Sequence, residues 1–86
     1  MKLTAEISMY PFREGYIEPI KWFIERLDHY PNIDRVTNAM ATQVTGDFQE
    51  VMAMLSREMQ ASFDKWGKAV FVCKFIGGSL DLSHRQ

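Results

Sequence analysis

Glu6, Ser8 and Tyr10 stand two residues apart near the start of the chain. On an extended segment residues two apart share a face, so a carboxylate, a hydroxyl and a phenol project side by side. Such a row is either a solvated sheet face or the floor of a binding site. In the second case Tyr10 is an aromatic wall, Ser8 donates and accepts hydrogen bonds, and Glu6 accepts from an amino group or faces a cation. Met40, at a bend further along, is placed to line a pocket. The remaining reactive types are scattered. His29 and His84 have no spacing to Cys73 or to a carboxylate that would build a metal site, and each reads as a surface residue. Asp28 beside His29 is not a base with its orienting acid, because adjacent helical residues do not face one another. Gly77-Gly78 follows a strand pattern but opens no helix, so it is not a phosphate loop. No catalytic set emerges, and nothing calls for a metal or an organic cofactor.

The elements that must position these residues follow from periodicity. Leu3, Ala5, Ile7 and Met9 alternate with Thr4, Glu6, Ser8 and Tyr10, the signature of a half-buried strand. It ends at Pro11, and Phe12 to Gly15 reads as a turn. Ile17, Ile20, Phe23, Ile24 and Leu27 recur at helical spacing and predict a helix from Ile17 to His29, with Pro19 tolerated in its first turn. Pro31 and Asn32 end it. Asp34 to Thr37 and Ala41 to Thr45 predict two short strands around a bend at Asn38. Gly46 is read as a break and Asp47 as a helix cap; Phe48, Val51, Met52, Leu55, Met59, Phe63 and Trp66 then draw one apolar stripe. Gly67 fits the position after that helix, and Lys68 to Ile76 is a β-branched and aromatic strand. The order is βαββαβ, an α+β fold of ferredoxin-like type: a four-stranded antiparallel sheet with two helices on one face. Residues 1–86 form one domain, with 77–86 as a C-terminal tail.

In the last strand Ala69, Phe71, Cys73 and Phe75 face the helices, while Val70 and Val72 project from the opposite face. Either these valines are ordinary scattered surface residues or another subunit covers them. A chain this short builds a small core, which favours a homodimer or tetramer. Trp22, off the first helix's stripe, either meets a partner or rests on its neighbours. The formal net charge of -1, with no run of Lys or Arg, argues against nucleic acid and against anionic lipid. No apolar run approaches the roughly 20 residues that span a bilayer, so no membrane insertion is expected. A lone cysteine and the absence of a signal-peptide pattern point to the cytoplasm.

Three stretches together carry a family resemblance: Ile7-Ser8-Met9-Tyr10-Pro11, then Tyr16-Ile17 to Leu27, then Asn38 to Asp47 running into Phe48-Gln49-Glu50-Val51. In order and spacing they resemble the YkoF family, whose members bind thiamine and its hydroxymethylpyrimidine moiety. They also resemble the related single-domain thiamine-binding family, which shares the S-x-Y-P start and the M-x-T-x-x-x-G pattern. The resemblance spans nearly all of residues 3 to 76 and implies the same ferredoxin-like fold. It implies a ligand site at Ser8, Tyr10 and Thr42, with Asn38 and Glu6 beside them. YkoF carries two such repeats where this chain has one, so a second copy would supply the other. Strand parity leaves a choice for Thr42: sharing a face with Val44, it is either a ligand contact or a buried structural hydroxyl.

The expected function is binding without chemistry: capture of thiamine or hydroxymethylpyrimidine for uptake or salvage. A planar aminopyrimidine offers a face for stacking and an edge of donors and acceptors, to which Tyr10, Ser8, Asn38 and Glu6 are complementary. Two other classes stand beside it: a dimeric ferredoxin-like enzyme acting on a small heterocycle, with Glu6 as the available base, and an oligomerisation or regulatory module.

Overall fold

In the computed structural model, which describes residues 1–38 and 40–82, the elements run β1 (Lys2–Pro11), α1 (Ile17–Leu27), β2 (Asp34–Thr37), β3 (Thr42–Asp47), α2 (Phe48–Trp66) and β4 (Ala69–Gly77). The antiparallel sheet has the order β2-β3-β1-β4, which puts β1 in the interior and makes the fold ferredoxin-like. Leu3, Ala5, Ile7 and Met9 are all buried against the helices, as the alternation of β1 predicts. Around them close Phe23 and Leu27 of α1, Val44 of β3, and Val51, Met54 and Leu55 of α2. Phe71 joins the layers, its ring centroid 5.0 Å from Phe23 and 5.5 Å from Phe63.

Helix ends follow the local chemistry. Asp47 caps α2 as predicted, its side chain accepting from the amides of Gln49 and Glu50. Gly67 terminates it at φ 83°, a value that suits glycine, and its amide returns to the Phe63 carbonyl. The first helix stops at Leu27, two residues short of the expected His29. Its last turn tightens as the amides of Asp28, His29 and Tyr30 bond to carbonyls three residues back, ahead of Pro31. Gly46 is not a break: it pairs with Leu3 inside β3. A Cβ there would lie 3.2 Å from Ile33 Cγ1 and 3.4 Å from the Asn32 carbonyl, so glycine lets the 31–33 loop pack onto the strand.

The buried stripe of α2 is rotated from the expected one. Val51 and Leu55 are buried, but Met52 and Phe63 are exposed, and Met54, Glu58 and Ser62 take their place inside. The helix faces α1 as well as the sheet, and on the α1 side its buried residue is a carboxylate. Glu58, 1% exposed, accepts from Arg26 Nε at 2.8 Å and Nη2 at 3.3 Å, and from the Tyr30 hydroxyl. Arg57 in turn donates to the Tyr30 oxygen at 2.9 Å. Burial is the largest influence on Glu58 and pushes its carboxyl up. The hydrogen bonds from Arg26 and Tyr30, with the attraction of Arg26 and Arg57, outweigh it and hold the pKa below the usual glutamate value. Trp22 rests on neighbours, edge-on to Trp66 at 6.4 Å, with Arg26 and Lys65 over its ring. No helix among the described residues is long and apolar enough to cross a membrane. His84 and the end of the expected tail lie outside the described residues.

Two outcomes test the Glu58 cluster. Tyr30→Phe removes a hydrogen bond to a buried charge and should cost about 1 to 2 kcal/mol in urea unfolding. Because the folded pKa of Glu58 is depressed, its stabilisation is complete above the unfolded value, about 4.3, and is lost as pH falls through the lower folded value. The stability gap between the parent and Glu58→Gln should therefore shrink on acidification below about pH 4.3; a gap constant with pH would refute the assignment.

Candidate functional site

The pairing of β1 is unequal on its two sides. Its register with β3 ends at Ile7 opposite Thr42, whereas its register with β4 continues to Pro11 opposite Ala69. Over Ser8–Pro11 the flank toward β3 therefore has no strand neighbour among the described residues. Main-chain N–H and C=O groups on such a flank need partners from elsewhere. A cavity of about 370 Å³ opens there, on the helix side of the sheet and within the size range of small-molecule sites. Ile7 and Met9 form its floor, Ile20, Phe23 and Ile24 of α1 its apolar wall, and the β2–β3 hairpin one rim. Tyr10, Pro11, Arg13 and Tyr16 form the other.

Five of the residues proposed from the sequence, Ser8, Tyr10, Asn38, Met40 and Thr42, line this one cavity. Tyr10 is half exposed at the rim, and Met40, 87% exposed, overhangs the mouth rather than filling a core. Asn38 shapes the hairpin: its Oδ1 accepts from the amides of Met40 at 2.9 Å and Ala41 at 3.1 Å, and its own amide bonds to the Ala41 carbonyl. With that oxygen committed, the group it offers a ligand is the NH2.

Thr42 is both buried and cavity-lining, which joins the two readings that parity left open. It is 4% exposed, with its hydroxyl 3.0 Å from that of Thr37. Thr37 accepts from Arg35 Nη1 at 2.7 Å, and Arg35 is anchored by Nε to Asp28 Oδ1 at 2.7 Å. A guanidinium only donates, so Thr37 is free to pass its hydrogen to Thr42. The Thr42 hydrogen is then available to an acceptor in the cavity.

Glu6 is the exception: the cavity lies on the helix side of the sheet, beyond the end of the β1–β3 pairing, and Glu6, where β1 is still paired with β3, does not line it. It projects from the opposite face, where Gln43 Nε2 donates to it at 3.2 Å and Lys74 Nζ lies 3.8 Å away. The same face carries Thr4, buried by bonds to Thr45 and to the Gly78 carbonyl, together with exposed Val70, Val72 and Ile76. Arg13, Tyr16 and the apolar wall of α1 were not singled out from the sequence. Arg13 and Tyr16 fall in a turn and at its end, where no periodicity marks a facing surface; only their closeness in sequence to Tyr10 hinted at them. His29 and Cys73 do not line the cavity. Cys73 packs against the core, and burial pushes its thiol pKa up. Among the described residues, no group of three or more His, Cys, Asp or Glu could hold a metal ion.

Comparison with solved structures shows the fold. A Streptococcus pneumoniae protein superposes with a TM-score of 0.84 at 21% identity, over 93% of this chain and 90% of that one. A candidate thiamine biosynthesis/salvage protein of Thermotoga maritima gives 0.83 at 20% identity, over 95% and 91%. A domain of unknown function, DUF77, from Bacillus cereus gives 0.78 at 16% identity, over 95% and 84%. No family model matches the chain, and no curated protein matches it significantly.

The hairpin rim yields a test that needs no ligand. Asn38→Ala deletes the acceptor of both loop amides and should lower stability by about 1 kcal/mol in thermal unfolding, whereas Asn38→Asp keeps an acceptor there and should unfold with the parent. Equal loss in both variants would mean that the side-chain oxygen does not hold the loop.

Proposed function

We propose that the chain binds a small aminopyrimidine, thiamine or its hydroxymethylpyrimidine moiety, without transforming it, in the service of thiamine-precursor uptake or salvage. The observation that carries this reading is the convergence of Ser8, Tyr10, Asn38 and Thr42 on one largely apolar cavity of about 370 Å³. A planar heterocycle slides between the Ile20–Phe23–Ile24 wall and the floor, with its polar edge toward the Thr42 hydroxyl, the Asn38 amide and the free flank of β1. Resemblance to thiamine-binding families in motif order, together with a fold neighbour described as a candidate thiamine biosynthesis/salvage protein, supports the same ligand class.

A homodimer belongs to this proposal, in the reducing cytoplasm that a lone thiol suits. Val70, Val72 and Ile76 are each 42% to 51% exposed on the open sheet face, a patch whose burial by a second copy would add to a small core.

Calorimetric titration with thiamine and hydroxymethylpyrimidine tests the site. Ser8→Ala should weaken binding about three- to tenfold, the value of one neutral hydrogen bond, and Tyr10→Ala should weaken it more. Thr42→Val should lower both affinity and melting temperature, since its hydroxyl serves the cavity and Thr37 alike. Parent protein that binds neither compound ends the proposal. For the assembly, light scattering at micromolar concentration should give at least a dimer, and Val72→Glu should give a monomer; a monomeric parent removes the shared face from the proposal.

A further inference from the structure

We infer that the cavity selects its ligand by charge, favouring a neutral or anionic heterocycle, above all one with a phosphate ester on its exocyclic arm, over one with a fixed positive charge. The inference rests on the binding reading above and deepens it. Among the described lining residues Arg13 is the single charged side chain, and no carboxylate accompanies it. Glu6, the carboxylate nearest in sequence to the site's strand residues, is turned to the other face of the sheet and engaged by Gln43 and Lys74. Glu14 and Glu18 are exposed outside the cavity.

Arg13 is held in a way that leaves it useful. Its Nε donates to the Glu14 carbonyl at 3.1 Å, and its guanidinium lies 5.1 Å from the centre of the Trp66 ring. Neither contact neutralises the charge, and the indole restricts where the head can go. The two terminal nitrogens remain as a fork, the geometry that grips phosphate or carboxylate oxygens in pairs. Lys65, 5.1 Å from the same ring on its Nζ, adds positive potential behind Arg13. A thiazolium entering beside this pair meets like charge at the cavity mouth. A phosphate at the mouth meets the fork while its pyrimidine fills the apolar interior.

The test titrates the full chain with hydroxymethylpyrimidine, its phosphate ester, thiamine and thiamine monophosphate. The expected order places the phosphate ester first, and each phosphorylated compound ahead of its parent alcohol. Arg13→Gln should reduce the ratio of phosphate-ester to alcohol affinity roughly three- to tenfold, as expected for a charge-assisted contact at an exposed side chain, and Arg13→Lys, which keeps the charge but loses the fork, should retain only part of it. Added salt should compress the ratio in the parent only. Thiamine binding as tightly as the phosphate ester, or a ratio untouched in Arg13→Gln, overturns the inference while leaving aminopyrimidine binding intact. If no pyrimidine binds, the functional reading has failed, and the charge rule is then read with 1-anilinonaphthalene-8-sulfonate against its uncharged counterpart N-phenyl-1-naphthylamine. A preference for the sulfonate that disappears in Arg13→Gln supports it, and equal binding in the parent overturns it.

Discussion

The structure turns on a mismatch in strand length. β1 is long enough to pair with β4 through Pro11, but β3 leaves it at Ile7 because the chain bends back through the Asn38 hairpin. If β3 ran on alongside Ser8–Pro11, its backbone would satisfy that flank and its side chains would occupy the space beneath α1. The short partner leaves polar backbone and apolar side chains bordering one volume. That combination of an apolar interior with a few directed polar groups is what small-molecule recognition uses. The cavity is therefore a consequence of sheet register, and its rim is only as stable as the hairpin that ends β3.

A second constraint keeps the wall of the cavity in place. α1 supplies that wall, and its position against α2 is set by a buried carboxylate: Glu58 on α2 grips Arg26 and Tyr30 at the C-terminal end of α1 and just beyond it. An apolar contact would tolerate sliding, whereas a pair of guanidinium bonds and a phenol bond specify one placement at the cost of dehydrating the ions. At the opposite end, the Trp22–Trp66 contact with its surrounding cations closes the interface. Arg13 stacks on that same Trp66, so the helix packing and the cavity mouth share a residue.

The two faces of the sheet divide the work. The helix face holds the core and the cavity; the open face is polar along β1 and β3, where Thr4, Thr45, Glu6 and Gln43 bond to one another, and apolar along β4. Those four polar side chains are paired within the chain, and beside them the hydrophobic strip of β4 stands exposed.

By itself the sequence determined the elements and their order, because alternation in β1, the 3.6-residue period in α1 and α2, and Asp47 as a cap are local signals that neighbouring residues carry. It also singled out Ser8, Tyr10, Asn38, Met40 and Thr42, since motif order survives where chemistry at each position is ambiguous. What it did not carry was the side of the sheet on which they meet. Alternation groups Glu6 with Ser8 and Tyr10, but it is blind to where the neighbouring strand stops, and that stop is what leaves Ser8 and Tyr10 bordering the cavity along the unpaired flank of β1 while Glu6, still beside β3, meets Gln43 and Lys74. Likewise the apolar stripe of α2 suggested Met52 and Phe63 inside and gave no reason to bury Glu58, because the partners that make a buried carboxylate tolerable, Arg26 and Tyr30, are some thirty residues away and arrive only when α1 packs. Local periodicity chooses secondary structure; tertiary contact decides which polar groups find partners, and so where an open site is left.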